Sequence, residues 1–181
     1  MVYELRLSND YPESYWFDYE QGSVELLDLL QHKEIKINDS LLFKVKKKVS
    51  EKRLLSFDFC SSCGFIIISP RLANLLANNK DFLKDVQLLD ANVIINGQKY
   101  SGFKALNILR MLSCIDVDKS DSEPLLANLP DSPIWFTKIV FKQNIVEDFC
   151  MARCLESEEH IVISDKLRQF FIENEVKGID L

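Results

Sequence analysis

The residues of this chain best equipped for chemistry are its five cysteines. Cys60-Ser61-Ser62-Cys63-Gly64 has the two-residue spacing and trailing glycine of a zinc knuckle, and Cys150 and Cys154 can supply two further thiolates to a tetrahedral site. Two features oppose that reading. Cys150-Met151-Ala152-Arg153-Cys154 is more loosely spaced, and the residues after Cys63 read as a strand rather than the turn of a knuckle. A redox dithiol of the thioredoxin kind needs its motif at a helix start, where the thiol pKa falls, and no helix is expected there. An odd number of cysteines gives no disulfide framework, so the expectation is buried free thiols, no bound metal and no cofactor.

Other chemistry is scarce. Only two histidines occur, His32 and His160, and the latter directly precedes an apolar run that reads as a buried strand. Gly22, Gly64, Gly97, Gly102 and Gly178 are isolated, so no glycine-rich phosphate loop exists. Asp116 and Asp118 alternate, but nothing near them has ligand spacing, and they read as part of a solvated acidic loop. No catalytic site is visible, and the chain is not expected to be an enzyme.

Binding is better represented. Tyr11-Pro12-Glu13-Ser14-Tyr15-Trp16-Phe17-Asp18-Tyr19 reads as an aromatic loop, continued by Glu20, with carboxylates between its rings. Tyr and Trp concentrate interface energy, so Tyr11, Tyr15, Trp16, Asp18, Tyr19 and Glu20 form one candidate surface for a basic protein partner. The same aromatics can equally fold back into the core. Asp116, Asp118, Asp121 and Glu123 form a second candidate surface, within a charge balance of −6. The basic stretch Lys44-Val45-Lys46-Lys47-Lys48, continued by Lys52 and Arg53, can serve nucleic-acid binding. Leu41, Phe43 and Val45 alternate through it, however, so it reads as a strand with a lysine-coated outer face, either a solvated face or a sheet edge that lysines protect.

The elements that must position these residues follow from periodicity. Tyr3, Leu5 and Leu7 alternate as a first strand, and Ser23 can cap a short helix through Leu30. Short strands are predicted near Leu41–Val45, Leu54–Phe59 and Phe65–Ile68. A strand from Val86 to Ile95 meets Asn96-Gly97, a strong hairpin signal, and returns through Tyr100 and Phe103 towards Ile108. The polar, proline-containing stretch from Asp118 to Pro133 is predicted as loop, with strand regions beyond it at Trp135–Phe141, Phe149–Leu155 and His160–Ile163. One unit occurs twice: Ile66-Ile67-Ile68-Ser69-Pro70-Arg71-Leu72 and Ile161-Val162-Ile163-Ser164-Asp165-Lys166-Leu167. In each, a β-branched strand leads to a serine that can cap the following helix, so Ser69 and Ser164 are predicted helix caps. The second helix ends near Asn174, and Val176–Leu181 returns to strand. The expected fold is α+β, mostly antiparallel sheet with a few short helices and two copies of the strand–Ser cap–helix unit.

With 181 residues, 47% of them hydrophobic and 28% charged, the chain suits one well-packed domain over residues 1–181. No apolar run approaches membrane-spanning length, and Met1-Val2-Tyr3-Glu4-Leu5-Arg6 carries charge where a secretory signal would be apolar. A reduced, cytoplasmic protein is the expectation.

Taken together, several blocks resemble the myxobacterial-type immunity-protein domain of bacterial polymorphic toxin systems. They are Ile66-Ile67-Ile68-Ser69-Pro70-Arg71-Leu72; Tyr100, then Ala105-Leu106-Asn107-Ile108-Leu109 to Cys114-Ile115-Asp116; Phe149-Cys150-Met151-Ala152-Arg153; Ile161 to Leu167; and Val176-Lys177-Gly178-Ile179. The resemblance covers roughly residues 54–181, while the Cys60/Cys63 pair and the aromatic stretch depart from the family pattern. It implies a protein that binds and neutralises a cognate toxin encoded nearby, by stoichiometric occlusion. It implies no catalytic residue, no membrane or nucleic-acid partner and no small-molecule substrate. The rival from the residues alone is a zinc-stabilised or nucleic-acid-associated regulatory module using Cys60, Cys63, Cys150, Cys154 and Lys44–Arg53.

Overall fold

Alternating apolar residues divide the chain's strands between two sheets, and the parity of each strand decides which core a side chain enters. The computed structural model describes the chain apart from Ser23, Leu26, Leu27, Leu29, Leu30, Cys63, Gly64, Ala127, residues 129–133, Asn144, Val146 and Glu147. The helix predicted from Ser23 to Leu30 falls largely on these and lies outside the described residues. The fold is α+β, mostly sheet with short helices.

The first sheet contains β2 (Phe17–Gln21), β3 (Leu41–Val45), β4 (Phe59–Ser61), β5 (Ile66–Ile68), β6 (Val86–Ile95) and β7 (Gln98–Ile108), in the order β2-β3-β6-β7-β5-β4. All pairs are antiparallel except β3 with β6. A parallel bridge from Phe17 to Ser62 brings the two ends of this order together, so the sheet curls back on itself. Inside the curl lie Phe17, Leu41, Phe43, Val45, Cys60, Ile67, Leu89, Ala91, Val93, Ile95, Phe103 and Ala105. The β6–β7 hairpin turns on Asn96 (φ 50°) and Gly97 (φ 88°), the pair of left-handed residues that a tight hairpin turn needs.

The opposite face of the same strands supplies a second core. Phe59, Ile68, Val86, Leu106 and Ile108 meet Leu5, Met151, Ile161 and Ile163 from the second sheet. That sheet runs β13-β1-β12-β11-β8, from β1 (Val2–Leu7), β8 (Met111–Leu112), β11 (Met151–Cys154), β12 (Ile161–Ser164) and β13 (Ile179–Asp180). Its outer face carries Ala152, Cys154 and Val162 into a third cluster with Leu112, Cys114, Ile115, Phe136 and Phe149.

Among the described residues, three short α-helices complete the fold: α1 (Glu51–Leu54), α2 (Pro70–Ala77) and α3 (Asp165–Glu173). Ser69 Oγ accepts from Leu72 N and Ser164 Oγ from Leu167 N, satisfying one otherwise unpaired helix donor each. Leu72, Ala73 and Leu76 of α2 and Leu167 and Phe171 of α3 enter the core between the sheets. Asp58 ties the two units together. Its carboxylate accepts from Ser69 Oγ at 2.7 Å, from Arg71 Nε at 3.0 Å and again from Arg71 Nη2, and from the Lys177 backbone N–H at 3.0 Å. Arg71 Nη1 in turn donates to Asn174 O at the end of α3.

Three expectations are corrected. Of the two readings of Leu41–Val45 the edge strand is corrected, since the strand lies between β2 and β6, while Lys44 and Lys46 are exposed as a solvated face requires. The stretch Tyr11–Tyr19 is not an open loop, because Glu13–Tyr15 form a 3-10 turn and Phe17 begins β2. Within Asp118–Pro133, Asp121–Pro124 form strand β9, paired with β10 (Ile134–Lys138) as a separate two-stranded arm.

Candidate functional site

The arm is built by a chain that leaves the second sheet and doubles back on itself. After β8, Cys114 O accepts from Lys142 N at 2.9 Å, Ile115 bridges Phe141, and Asp116 N donates to Val140 O at 2.8 Å. A turn follows in which Ser120 Oγ donates to Asp116 O at 2.7 Å while accepting from Val140 N at 2.9 Å. β9 then pairs with β10, placing Glu123 opposite Trp135 and Ser122 opposite Phe136. Phe136 is the anchor, buried against Phe149 and Val162, so Trp135 beside it in sequence faces away.

All four β9 residues are exposed, as are Asp118, Asn128 and four of the five β10 residues. Large apolar side chains are exposed among them: Leu125 at 59%, Leu126 at 54%, Trp135 at 51%, with Ile134 and Val117. Single exposed apolar residues are ordinary, but a cluster rimmed by carboxylates is what protein-binding surfaces present. Asp118, Asp121 and Glu123 supply that rim. Asp116 is mostly covered, and its ion pair with Lys119 at 2.6 Å holds its carboxyl below the usual range.

The β11–β12 loop joins this arm to the other candidate stretch. Glu156 accepts from Ser113 Oγ at 2.7 Å, Cys114 N at 3.2 Å, Ile115 N at 3.3 Å and Lys142 Nζ at 3.1 Å. Burial acts to raise its pKa, but these donors outweigh burial and hold it at about 2. Two residues on, Glu158 meets His32 Nε2 at 3.0 Å and its carbonyl accepts from Arg153 Nη1 at 2.7 Å. Here Trp16, 44% exposed, lines a groove of about 440 Å³ with Phe65, Ile66, Glu158 and Ile161.

The aromatic stretch therefore divides. Tyr11 and Tyr15 belong to the core: Tyr11 Oη donates to Tyr15 O at 2.7 Å, and both rings pack on Phe57. They are withdrawn from the partner surface. Tyr19 is half-buried, its Oη donating to Val24 O at 2.9 Å, and Asp18 pairs with Lys46 at 3.2 Å. Trp16 and Glu20 remain exposed. Sequence reasoning missed Trp135, Leu125, Leu126 and Ile134, although four large apolar residues flanking a proline-rich acidic stretch were the available signal.

No protein-family model matches the chain, and no curated protein matches it.

The cysteines do not assemble as a zinc site would require. Cys60 lies inside the curled sheet, Cys150 between the sheets and Cys154 in the third cluster, while Cys63 is outside the described residues. Among the described residues no group of three or more His, Cys, Asp or Glu side chains is placed to hold a metal ion. Burial pushes the Cys60 thiol up to about 12, which keeps it protonated. The two imidazoles face carboxylates: His32 faces Glu158, and His160 lies 2.8 Å from Glu4 and 3.4 Å from Glu159. Among the described residues, no helix is long and apolar enough to cross a membrane.

Proposed function

We propose that this chain is an immunity protein that neutralises a cognate toxin protein by forming a stoichiometric complex and covering its working surface. The observation that carries this reading is the arm at residues 114–142. It exposes Trp135, Ile134, Leu125 and Leu126 together with Asp118, Asp121 and Glu123, on a support pinned by Phe136. Exposed apolar side chains with carboxylates beside them suit a basic protein surface: the apolar residues supply affinity, and the charges speed encounter. The sequence blocks that resemble the immunity-protein family of polymorphic toxin systems support the same role. Those blocks lie largely in the sheets and helices that hold the arm, so partner choice falls to the arm and to the Trp16 groove. The cytoplasm, where a toxin must be intercepted before it acts, is the compartment this role requires. No catalysis, cofactor, membrane or nucleic acid enters the mechanism.

The test is co-expression with the toxin encoded beside this chain's gene. The expected result is rescue of growth and co-purification as a one-to-one complex, with rescue lost in Trp135→Ala while that variant's melting temperature stays within a degree or two of wild type. Rescue without a detectable complex, or a complex indifferent to every arm substitution, would refute the proposal.

A further inference from the structure

Among the described residues, the structure brings two thiols together that sequence spacing did not pair. Cys114 Sγ and Cys154 Sγ lie 2.9 Å apart although 40 residues separate them in the chain. Unbonded heavy atoms in packed interiors rest at about 3.5–4.0 Å. A disulfide closes to about 2.05 Å. The pair is thus two free thiols in hydrogen-bond contact. Both side chains are wholly buried in the third cluster, on the same face of the second sheet as Leu112, Ala152 and Val162. The backbones carrying them are fixed: Leu155 N donates to Leu112 O, and Lys142 N to Cys114 O, each at 2.9 Å. Cys150, by contrast, points to the other face and donates to Asp81 O at 3.2 Å, and Cys60 lies in the curled sheet.

We infer that Cys114 and Cys154 form an intramolecular disulfide when a low-molecular-weight disulfide reaches them, a reversible covalent latch between the root of the arm and β11. The chemistry is two successive exchanges. One cysteine, as thiolate, attacks a sulfur of the reagent; the reagent's S–S bond breaks and its first thiol leaves. The second cysteine then attacks the mixed disulfide and displaces the reagent's other thiol. Two electrons pass from the cysteine pair to the reagent, and the two protons the cysteines lose are carried off by the two departing thiols.

Packing controls when this occurs. The contact with Cys114, then burial, pushes the Cys154 thiol up, so it stays protonated while the arm is seated. Phe136, Ile139, Phe141, Ile145 and Phe149 cover the cluster, and the reagent gains access only when they lift. In a reducing compartment the pair therefore remains two thiols, and an oxidative challenge closes it.

The experiment incubates the full chain with oxidised glutathione, with and without urea below the unfolding midpoint, then quenches in acid, alkylates and maps peptides without reduction. A single linked peptide pair joining Cys114 to Cys154 is expected, abolished by reduction and formed faster in urea. Cys60 and Cys150 should be alkylated only after unfolding. Closing a 40-residue loop should lower the unfolding equilibrium constant by roughly a hundredfold to a thousandfold. Cys114→Ala/Cys154→Ala should show no oxidant-dependent change in melting. Should that variant fail to fold, the peptide map of the wild-type chain decides alone. Recovery of Cys114 and Cys154 as alkylated free thiols under both conditions, or a link from either to another cysteine, would overturn the inference.

Discussion

Replacing Asp58 with alanine should be among the most damaging single changes in the scaffold. Its side chain is 5% exposed and receives Ser69 Oγ, two Arg71 donors and the Lys177 backbone N–H. Removing it leaves the serine that caps α2 with an unmet donor, strands Lys177 N–H and leaves the Arg71 guanidinium with only the Asn174 and Glu175 carbonyls. The half-exposed Arg71 can regain water, so the loss falls on the two buried donors left unmet, about 1–3 kcal/mol each at most and about 2–4 kcal/mol together. That is a large share of the 5–15 kcal/mol that typically stabilises a domain. Arg71→Met instead leaves the buried carboxylate with only the Ser69 and Lys177 donors, so it should cost about as much, roughly 2–4 kcal/mol. The pH dependence has a definite sign. Burial acts to raise the Asp58 pKa, but Arg71, Lys177 and Ser69 outweigh it and leave the folded value depressed. Its contribution is therefore full above the unfolded carboxylate pKa and is lost as pH falls through the folded value. Urea unfolding of wild type, Asp58→Ala, Arg71→Met and the double variant, at neutral pH and near pH 3, measures all of this. A loss below about 1 kcal/mol for Asp58→Ala, or a double variant whose cost is the plain sum of the two, would show that the clamp does not hold the two units together.

Charge reversal at Asp118 and Glu123 should slow association with the toxin by about tenfold and flatten its salt dependence, leaving stability within about 0.5 kcal/mol, as stopped-flow binding and thermal melts would show. Gly178→Ala should destabilise by more than about 1 kcal/mol, because φ is +95° and an added Cβ would meet Phe59 O at 2.6 Å; a neutral melt would contradict that geometry. Glu156→Gln should weaken protection of the Cys114 and Ile115 amides in hydrogen exchange. Wild type should lose the Glu156 contribution between about pH 4.5 and 2 on acidification, since the folded pKa lies below the unfolded one.

What was legible in the sequence was local. The alternation of Val86–Ile95, the Asn96-Gly97 turn and the serine before each helix were readable because each rests on residues within a few positions of one another. The arm was hidden for a physical reason. Asp121-Ser122-Glu123-Pro124 is exposed at every position, so it has no inside and outside to alternate between, and its proline argues for loop. The aromatic stretch was ambiguous because tyrosine suits both fates. At Tyr11 the hydroxyl finds a backbone carbonyl four residues away and the ring can be buried, whereas Trp16, one residue past the 3-10 turn, stays at the surface. The pairings that join distant segments, Asp58 to Lys177 across 119 residues and Cys114 to Cys154, leave no local trace at all.

The two faces of one sheet separate the scaffold from the arm proposed here to bind a partner. Along β11 and β12, Met151, Ile161 and Ile163 point into the core shared with both helices, while Ala152, Cys154 and Val162 point out beneath the arm. The Asp58 clamp lies wholly on the scaffold side, among β4, α2 and the segment after α3. The arm rests on the outer side through Phe136, Phe149 and the Glu156 hydrogen bonds. Among the described residues, a change at Leu125, Trp135 or Glu123 lies away from the scaffold, which the arm meets through Phe136, Phe149 and the strand ends at its root. Separation of that kind lets partner-facing residues change while the Asp58–Arg71–Lys177 network and the serine caps stay fixed. It also places the Cys114–Cys154 contact at the junction between the two parts, where a covalent link would stiffen the arm's root without touching the clamp.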